Sequence, residues 1–209
     1  MAKRDSITTP IGVAVYPHLN RPDTKFNADG DYSVKLRLTA EDAESLVEKI
    51  DQAVEDNFAK VKKDNPKKKV KKSDFLPYDT DEETGEITLS FKLNAVGKNS
   101  KTGETWKNTV KLFDAKGKPT KAKVGGGSRV RVAAEINPYY TPTIGAGVSL
   151  RLKAVQIEEL MQGGDATSYG FDEIEDGFDA ADVEDDDFET TDTEEGPSEG
   201  EDGDEDYDF

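Results

Sequence analysis

The chain has no cysteine. Disulfides and thiolate-rich zinc sites are therefore excluded, and the setting expected is an intracellular one. Histidine and tryptophan occur once each, as His18 and Trp106. A membrane-spanning helix needs a run of about 18 or more apolar residues, and none exists here. The opening residues, MAKRDSITTP, hold no apolar signal core. These absences lead us to expect a soluble protein that is neither exported nor membrane-spanning.

The vocabulary of catalysis is equally thin. His18 is expected in a loop beside Pro17, without the partners that a metal site or general base requires. GGGSR at 125–129 lacks the lysine of a phosphate loop and leads into a strand pattern, not a helix. No nucleophile elbow of the G-x-S-x-G type is present. Gly145 and Gly147 lack a third glycine and read as a bulge or a close backbone approach within a strand. Asp202, Asp204 and Asp206 imitate the start of a calcium loop, but Tyr207 stands where glycine is needed and no bidentate Glu follows. At most, weak and unspecific divalent binding is expected there. No enzyme, metal or cofactor is expected.

One absence organises the rest: the segment 165–209 has no Lys or Arg. It carries 22 of the chain's 45 acidic residues, which leaves 23 acids against 28 bases in residues 1–164. The formal charge of −17 is thus the sum of a mildly basic body and a strongly acidic tail. Such a tail repels itself and has too few apolar residues to offset the entropy of ordering. We expect one folded domain, 1–164, and a disordered acidic tail, 165–209.

Within the body, residues 11–17 and 32–38 read as strands. In the second, Val34, Leu36 and Leu38 alternate with Lys35 and Arg37. The period then changes. Thr39 reads as an N-cap, Glu41, Asp42 and Glu44 follow, and Leu46, Ile50, Ala53, Val54, Phe58 and Val61 form one apolar stripe. This predicts a helix over 40–62, followed by a loop; eight lysines lie between Lys60 and Lys72. Alternation resumes in ITLSFKLNA, where Leu89, Phe91 and Leu93 oppose Ser90, Lys92 and Asn94. KNSKTGE is expected as a hairpin turn, TWKNTVKLFD as the returning strand and NPYYTP (137–142) as an aromatic-bearing loop. SRVRVAAEI and GAGVSLRLKAVQIEEL supply the last strands. In them Arg129 and Arg131, then Arg151 and Lys153, line one face. The expected fold is all-β: a small curled barrel of five or six strands with one inserted helix.

The outer faces of that barrel would carry cations at spacing two, with aromatics near strand ends and loops. A single nucleic-acid strand offers phosphates and unpaired π-faces, so a general binder needs this combination. A solvated basic surface is the plainer reading of any one such strand. Trp106 taken alone reads as core, whereas Tyr139 and Tyr140, between two prolines, read as exposed. The lysine loop reads as a solubilising loop, a nuclear-targeting patch or a phosphate clamp, and the clamp is preferred because the loop leaves the same barrel. In the tail, Tyr169, Phe171, Phe178, Phe188, Tyr207 and Phe209 are spaced among carboxylates. Negative charge with intermittent rings mimics a single strand, and the terminal ring and carboxylate suit a basic-rimmed pocket on a partner.

The order of motifs resembles the T-seven-type single-stranded DNA-binding proteins of podovirus phages. The resemblance is carried by RPD at 21–23, FKLNA at 91–95, KTGET at 101–105, FDAKGK at 113–118, VGGGS at 124–128, NPYY at 137–140, GAGVSLRL at 145–152 and the tail ending in DYDF. It implies a five-stranded oligonucleotide/oligosaccharide-binding (OB) barrel, a homodimer, and roles in phage DNA replication, recombination, repair and strand annealing in the host cytoplasm. It also implies contacts to the phage DNA polymerase and primase-helicase through the tail, Asp204, Glu205, Asp206, Tyr207, Asp208 and Phe209. It places Lys92 and Tyr139 in the DNA groove. The family's further aromatic falls at Thr141 here, with Tyr140 beside it. The full set expected to contact DNA is Lys35, Arg37, Lys67, Lys68, Lys69, Lys71, Lys72, Lys92, Trp106, Lys107, Arg129, Arg131, Tyr139, Tyr140 and Arg151. The competing class is a protein-interaction module or acidic-tailed chaperone of basic partners, and an RNA-directed role shares the same chemistry.

Deleting residues 165–209 should tighten single-strand binding in a filter or anisotropy assay and weaken partner binding. Looser DNA binding would sink the idea of a competing tail. Phe209→Ala should harm partner capture far more than DNA affinity.

Overall fold

The computed structural model describes residues 5–99 and 102–161. The acidic segment 165–209 lies outside the described residues. In chain order the elements are β1 (Ser6–Thr8), β2 (Gly12–Asp23), β3 (Asp31–Leu38), α1 (Ala40–Asp64), β4 (Tyr78–Thr80), β5 (Ile87–Asn94), β6 (Val96–Lys98), β7 (Thr105–Lys107), β8 (Lys111–Phe113), β9 (Arg129–Thr141) and β10 (Gly145–Glu159).

Alternation decides which side of each strand is buried. Val34, Leu36, Leu89, Phe91, Val130, Val132, Leu150 and Leu152 are all at or below 1–2 % exposure and fill one interior. Burying each such side chain contributes about 1.5–3 kcal/mol, which outweighs any preference for a flat sheet. The sheet closes on itself. β2 pairs with β3 and β3 with β5, both antiparallel; β5 pairs with β10 in parallel at Leu150↔Phe91 and Arg151↔Lys92. β10 pairs with β9 antiparallel, and β9 returns to β2 at Gly12↔Val130. Five strands with one parallel contact make the OB-type barrel expected from the sequence. β1, β4 and β8 extend it at its edges.

The helix matches its stripe. The Asp42 N–H donates to Thr39 Oγ1 at 3.2 Å at the start, and the Asn65 N–H reaches the Val61 carbonyl at 3.0 Å at the end. Ala43, Leu46, Ile50, Val54 and Val61 are buried, and the helix packs on β9 and β10. One polar residue shares that stripe. Asn57 Nδ2 donates to the carbonyls of Tyr139 and Gly147, each at 2.8 Å, and so ties the helix to the β9–β10 hairpin. On the same helix, Asp51 accepts a 2.8 Å bond from the Tyr78 hydroxyl. Burial, with help from that carboxylate, pushes the Tyr78 phenol up from 10.0 to about 12. The neutral phenol is the form the fold favours. Its contribution is therefore intact below pH 10 and is lost as pH rises through 12.

Three expectations are corrected. TWKNTVKLFD is not one returning strand. The Asn108 N–H bonds the Ala95 carbonyl at 2.7 Å, and its side-chain Nδ2 bonds the Asn94 carbonyl at 2.8 Å. This ends β7, and β8 departs to pair in parallel with β10. NPYYTP is not a loop, because Tyr139, Tyr140 and Thr141 are paired with Gly147, Ala146 and Gly145. His18 lies within β2, opposite Ser33.

Asn57→Leu should destabilise the fold by about 1–3 kcal/mol, because two buried carbonyls lose a donor. The measurement is the urea midpoint at unchanged slope.

Candidate nucleic-acid interface

Outward-facing positions of β5, β9 and β10 meet in a groove of about 500 Å³ lined by Lys92, Asn94, Lys98, Trp106, Asn108, Asn137, Ser149 and Arg151, among others. Parallel pairing sets Lys92 beside Arg151, and antiparallel pairing sets Asn137 beside Ser149. Lys92 Nζ lies 2.8 Å from Asp31 Oδ2, and the other oxygen of Asp31 accepts from Asn27 at 3.0 Å. Asp31 thus anchors the ammonium from the side, at the start of β3. Lys98 adds a third cation to the groove.

Trp106 lines this groove and is not core. It is 48 % exposed. In the β6–β7 ribbon it sits opposite Gly97, and a Cβ at Gly97 would fall 2.3 Å from its ring. The indole therefore rests on the glycine backbone, which no larger residue would allow. Its Nε1 donates to Asn108 Oδ1 at 3.0 Å.

Tyr139 does not line this groove but lies beyond its Asn137 edge on β9. Tyr139 follows Asn137 on the same face, about 7 Å further on. Its hydroxyl lies 2.9 Å from Ser73 Oγ, and its ring tip covers Gly147. Ser73 belongs to the lysine loop, which is stitched to the start of β10. The Ser73 N–H donates to the Ala146 carbonyl at 2.8 Å, and the Ala146 N–H donates to the Lys71 carbonyl at 2.9 Å. Gly145 permits this approach; at φ 111°, any Cβ there would lie 2.7 Å from the Lys71 carbonyl oxygen. The loop's lysines are thereby held near the Tyr139 end. Lys71 pairs with Asp74 at 3.7 Å and Lys72 with Glu55, while Lys67, Lys68 and Lys69 are exposed.

Other expected residues fall elsewhere. Tyr139 and Tyr140, expected to be exposed, are both half-buried because the two strands pair there, and Tyr140 points to the opposite face of β9 from Tyr139. Strand alternation likewise points Lys107 away from Trp106. Lys35 and Arg37 lie on the outer face of β3, with Arg37 paired to Glu86 at 3.6 Å. Arg129 pairs with Glu158 at 3.0 Å, and Arg131 lies beside Ile11, Ala115 and Gln156. Both arginines sit at the far end of β9, about 13–20 Å along the strand from the level of Arg151. Sequence reading missed Lys98, Asn94, Asn108, Asn137 and Ser149. Lys98 was detectable as the cation entering the same hairpin as Trp106. It also missed Phe26, 90 % exposed in the loop that Asn27 ties to Asp31; a lone aromatic in a polar loop was the available signal.

Residues 11–160 match the family model described as single-stranded DNA-binding protein, bacteriophage T7. The chain belongs to this family. It is 30 % identical over 197 residues to the single-stranded DNA-binding protein of Enterobacteria phage T3, covering 84 % of this chain and 85 % of that one. It is similar to the crystal structure of gp2.5, a single-stranded DNA-binding protein encoded by bacteriophage T7, with TM-score 0.68 and 27 % identity over 85 % of this chain and all of that one. The single-stranded DNA-binding protein of bacteriophage Enc34, solved in complex with single-stranded DNA, shares the fold at TM-score 0.56 and 14 % identity, covering 75 % of this chain and 88 % of that one. The relatives are named for binding single-stranded DNA.

Gly97→Ala should drive the indole off its seat. The single tryptophan then reports directly. Its emission should shift to the red and its near-ultraviolet dichroism should weaken, while the thermal midpoint moves little because the ribbon is exposed.

Proposed function

We propose that the protein coats single-stranded DNA without strong sequence preference during phage DNA replication, recombination and strand annealing. The observation that carries this reading is the convergence of Lys92, Arg151, Lys98 and Trp106 in one groove. Cations take successive phosphates and the open face of the indole takes a base, as the chemistry of an unpaired strand requires. Tyr139 and the lysine loop extend the path. Arg129 and Arg131 serve only a longer site that wraps the barrel. Residues 1–164 form the binding domain. The tail 165–209 competes for the groove through its carboxylates and rings, and its end recruits the phage polymerase and primase-helicase. The working form is a homodimer in the cytoplasm of the infected host.

If about four phosphates are engaged, log K should fall with log salt at a slope near −3, about −0.7 for each phosphate. Lys92→Ala should reduce that slope by about 0.7. Trp106→Ala should weaken binding by about 1–3 kcal/mol with little difference between bases. Titration of labelled oligonucleotides across a salt series checks all three. An affinity that ignores salt would exclude the groove.

A further inference from the structure

A second hollow, about 830 Å³, lies over the outer face of β2. We propose that it is a second stacking subsite for single-stranded DNA, with Tyr16 as its platform and Arg37 and Lys123 on the phosphates. This rests on the binding function proposed above and adds to it a site in a different part of the barrel.

The pairing of β2 with β3 steps from Val15↔Lys35 to His18↔Ser33, so β2 carries one extra residue there. That bulge swings Tyr16 outward to 77 % exposure. Tyr16 adopts φ 47°, the one positive φ of a non-glycine residue among those described. A bulky side chain is unfavourable in that region, and a glycine would relieve it. The Tyr16 side chain makes no hydrogen bond among the described residues that would repay the strain. Strain of this kind marks places where the side chain is used. Half-buried Val13 and Val15 line the same hollow as Tyr16, together with Arg37, Lys123 and the glycines at 125–127. Glu86, 3.6 Å from Arg37, is the carboxylate paired with that guanidinium.

Register joins this hollow to the groove. Arg151 lies beside Lys92, Lys92 beside Ser33 and Ser33 beside His18. The four residues form one row across β10, β5, β3 and β2. Three inter-strand steps of about 4.8 Å separate its ends. A strand lying across this row passes from the indole of Trp106 to the ring of Tyr16 over a few nucleotides. OB folds cover about 4–16 nucleotides, so both platforms fit within one site.

The test uses the full chain and oligo-thymidine of about 4 and about 12 nucleotides, read by quenching of Trp106 fluorescence. Tyr16→Ala and Tyr16→Gly should weaken the long oligonucleotide about tenfold and leave the short one within about twofold. Tyr16→Trp, read by anisotropy because it adds a second indole, should retain affinity. Tyr16→Gly should also raise the thermal midpoint, which separates loss of the ring from loss of the fold. Lys123→Ala should lower the salt slope for the long oligonucleotide alone, by about 0.7. Unchanged long-oligonucleotide affinity in both Tyr16 variants overturns the inference while the binding function stands. Equal weakening of both lengths overturns it too, because Tyr16 would then support the first groove. No quenching of the unmodified protein by either length removes the binding function and this site together.

Discussion

Strand β10 distributes its backbone hydrogen bonds among four neighbours. Its start bonds the lysine loop through Lys71 and Ser73; Leu150 and Arg151 meet β5; residues from Ala154 to Gln156 meet β8; and β9 runs along its whole length. Closure of the barrel, placement of the basic loop and the meeting of Lys92 with Arg151 all depend on this one strand. A slip of one residue would exchange its faces. Arg151 and Ser149 would enter the interior, and Leu150 and Leu152 would enter the groove. Because those leucines are almost fully buried, the core itself fixes the register of the proposed DNA path. Asn57 reinforces the same register from the helix, since its two acceptors sit directly opposite each other on β9 and β10.

Four cations on the outer face are paired: Lys92 with Asp31, Arg37 with Glu86, Arg129 with Glu158 and Lys153 with Glu135. These lysine and arginine side chains are about half exposed, so each pair contributes about 0–1 kcal/mol. Such contacts restrain a long side chain and can be exchanged for another anion at little cost. Asp31 differs from the other acids because its own side chain is only 12 % exposed and bonded to Asn27. It is therefore the least mobile of these partners, and in the proposed complex it would share Lys92 with a phosphate.

Local patterns made much of this legible in the sequence. Alternation gave the inner and outer faces of β3, β5, β9 and β10, and the stripe from Leu46 to Val61 gave the helix to within two residues. The strand order suggested a small curled barrel, and the resemblance specified its OB type. What stayed hidden depends on contacts between distant residues. Nothing near Trp106 announces that its ring rests on Gly97 instead of entering the core. Nothing in SRVRV says that Arg129 and Arg131 lie a strand's length from Arg151, because the offset comes from how β9 pairs with β10. The split of the strand after Lys107 turns on Asn108 bonding two carbonyls of another segment. The outward swing of Tyr16 comes from a bulge, and a bulge exists only relative to the partner strand.

The two aromatic platforms of the proposed DNA path share one construction. Trp106 stands in register with Gly97, and Tyr139 stands in register with Gly147. In each pair a missing Cβ lets the ring lie down on the neighbouring strand, where any larger residue would force it away. Each ring is then pinned by one polar contact, Nε1 to Asn108 and hydroxyl to Ser73. A free aromatic side chain would have to give up rotamer freedom when a base stacks on it. These rings have already lost that freedom on folding, so more of the stacking energy appears as affinity. Glycine residues that read as breakers in a strand pattern therefore mark the seats of the site. An aromatic one register step from such a glycine is better evidence for a stacking platform than an aromatic exposed in a loop.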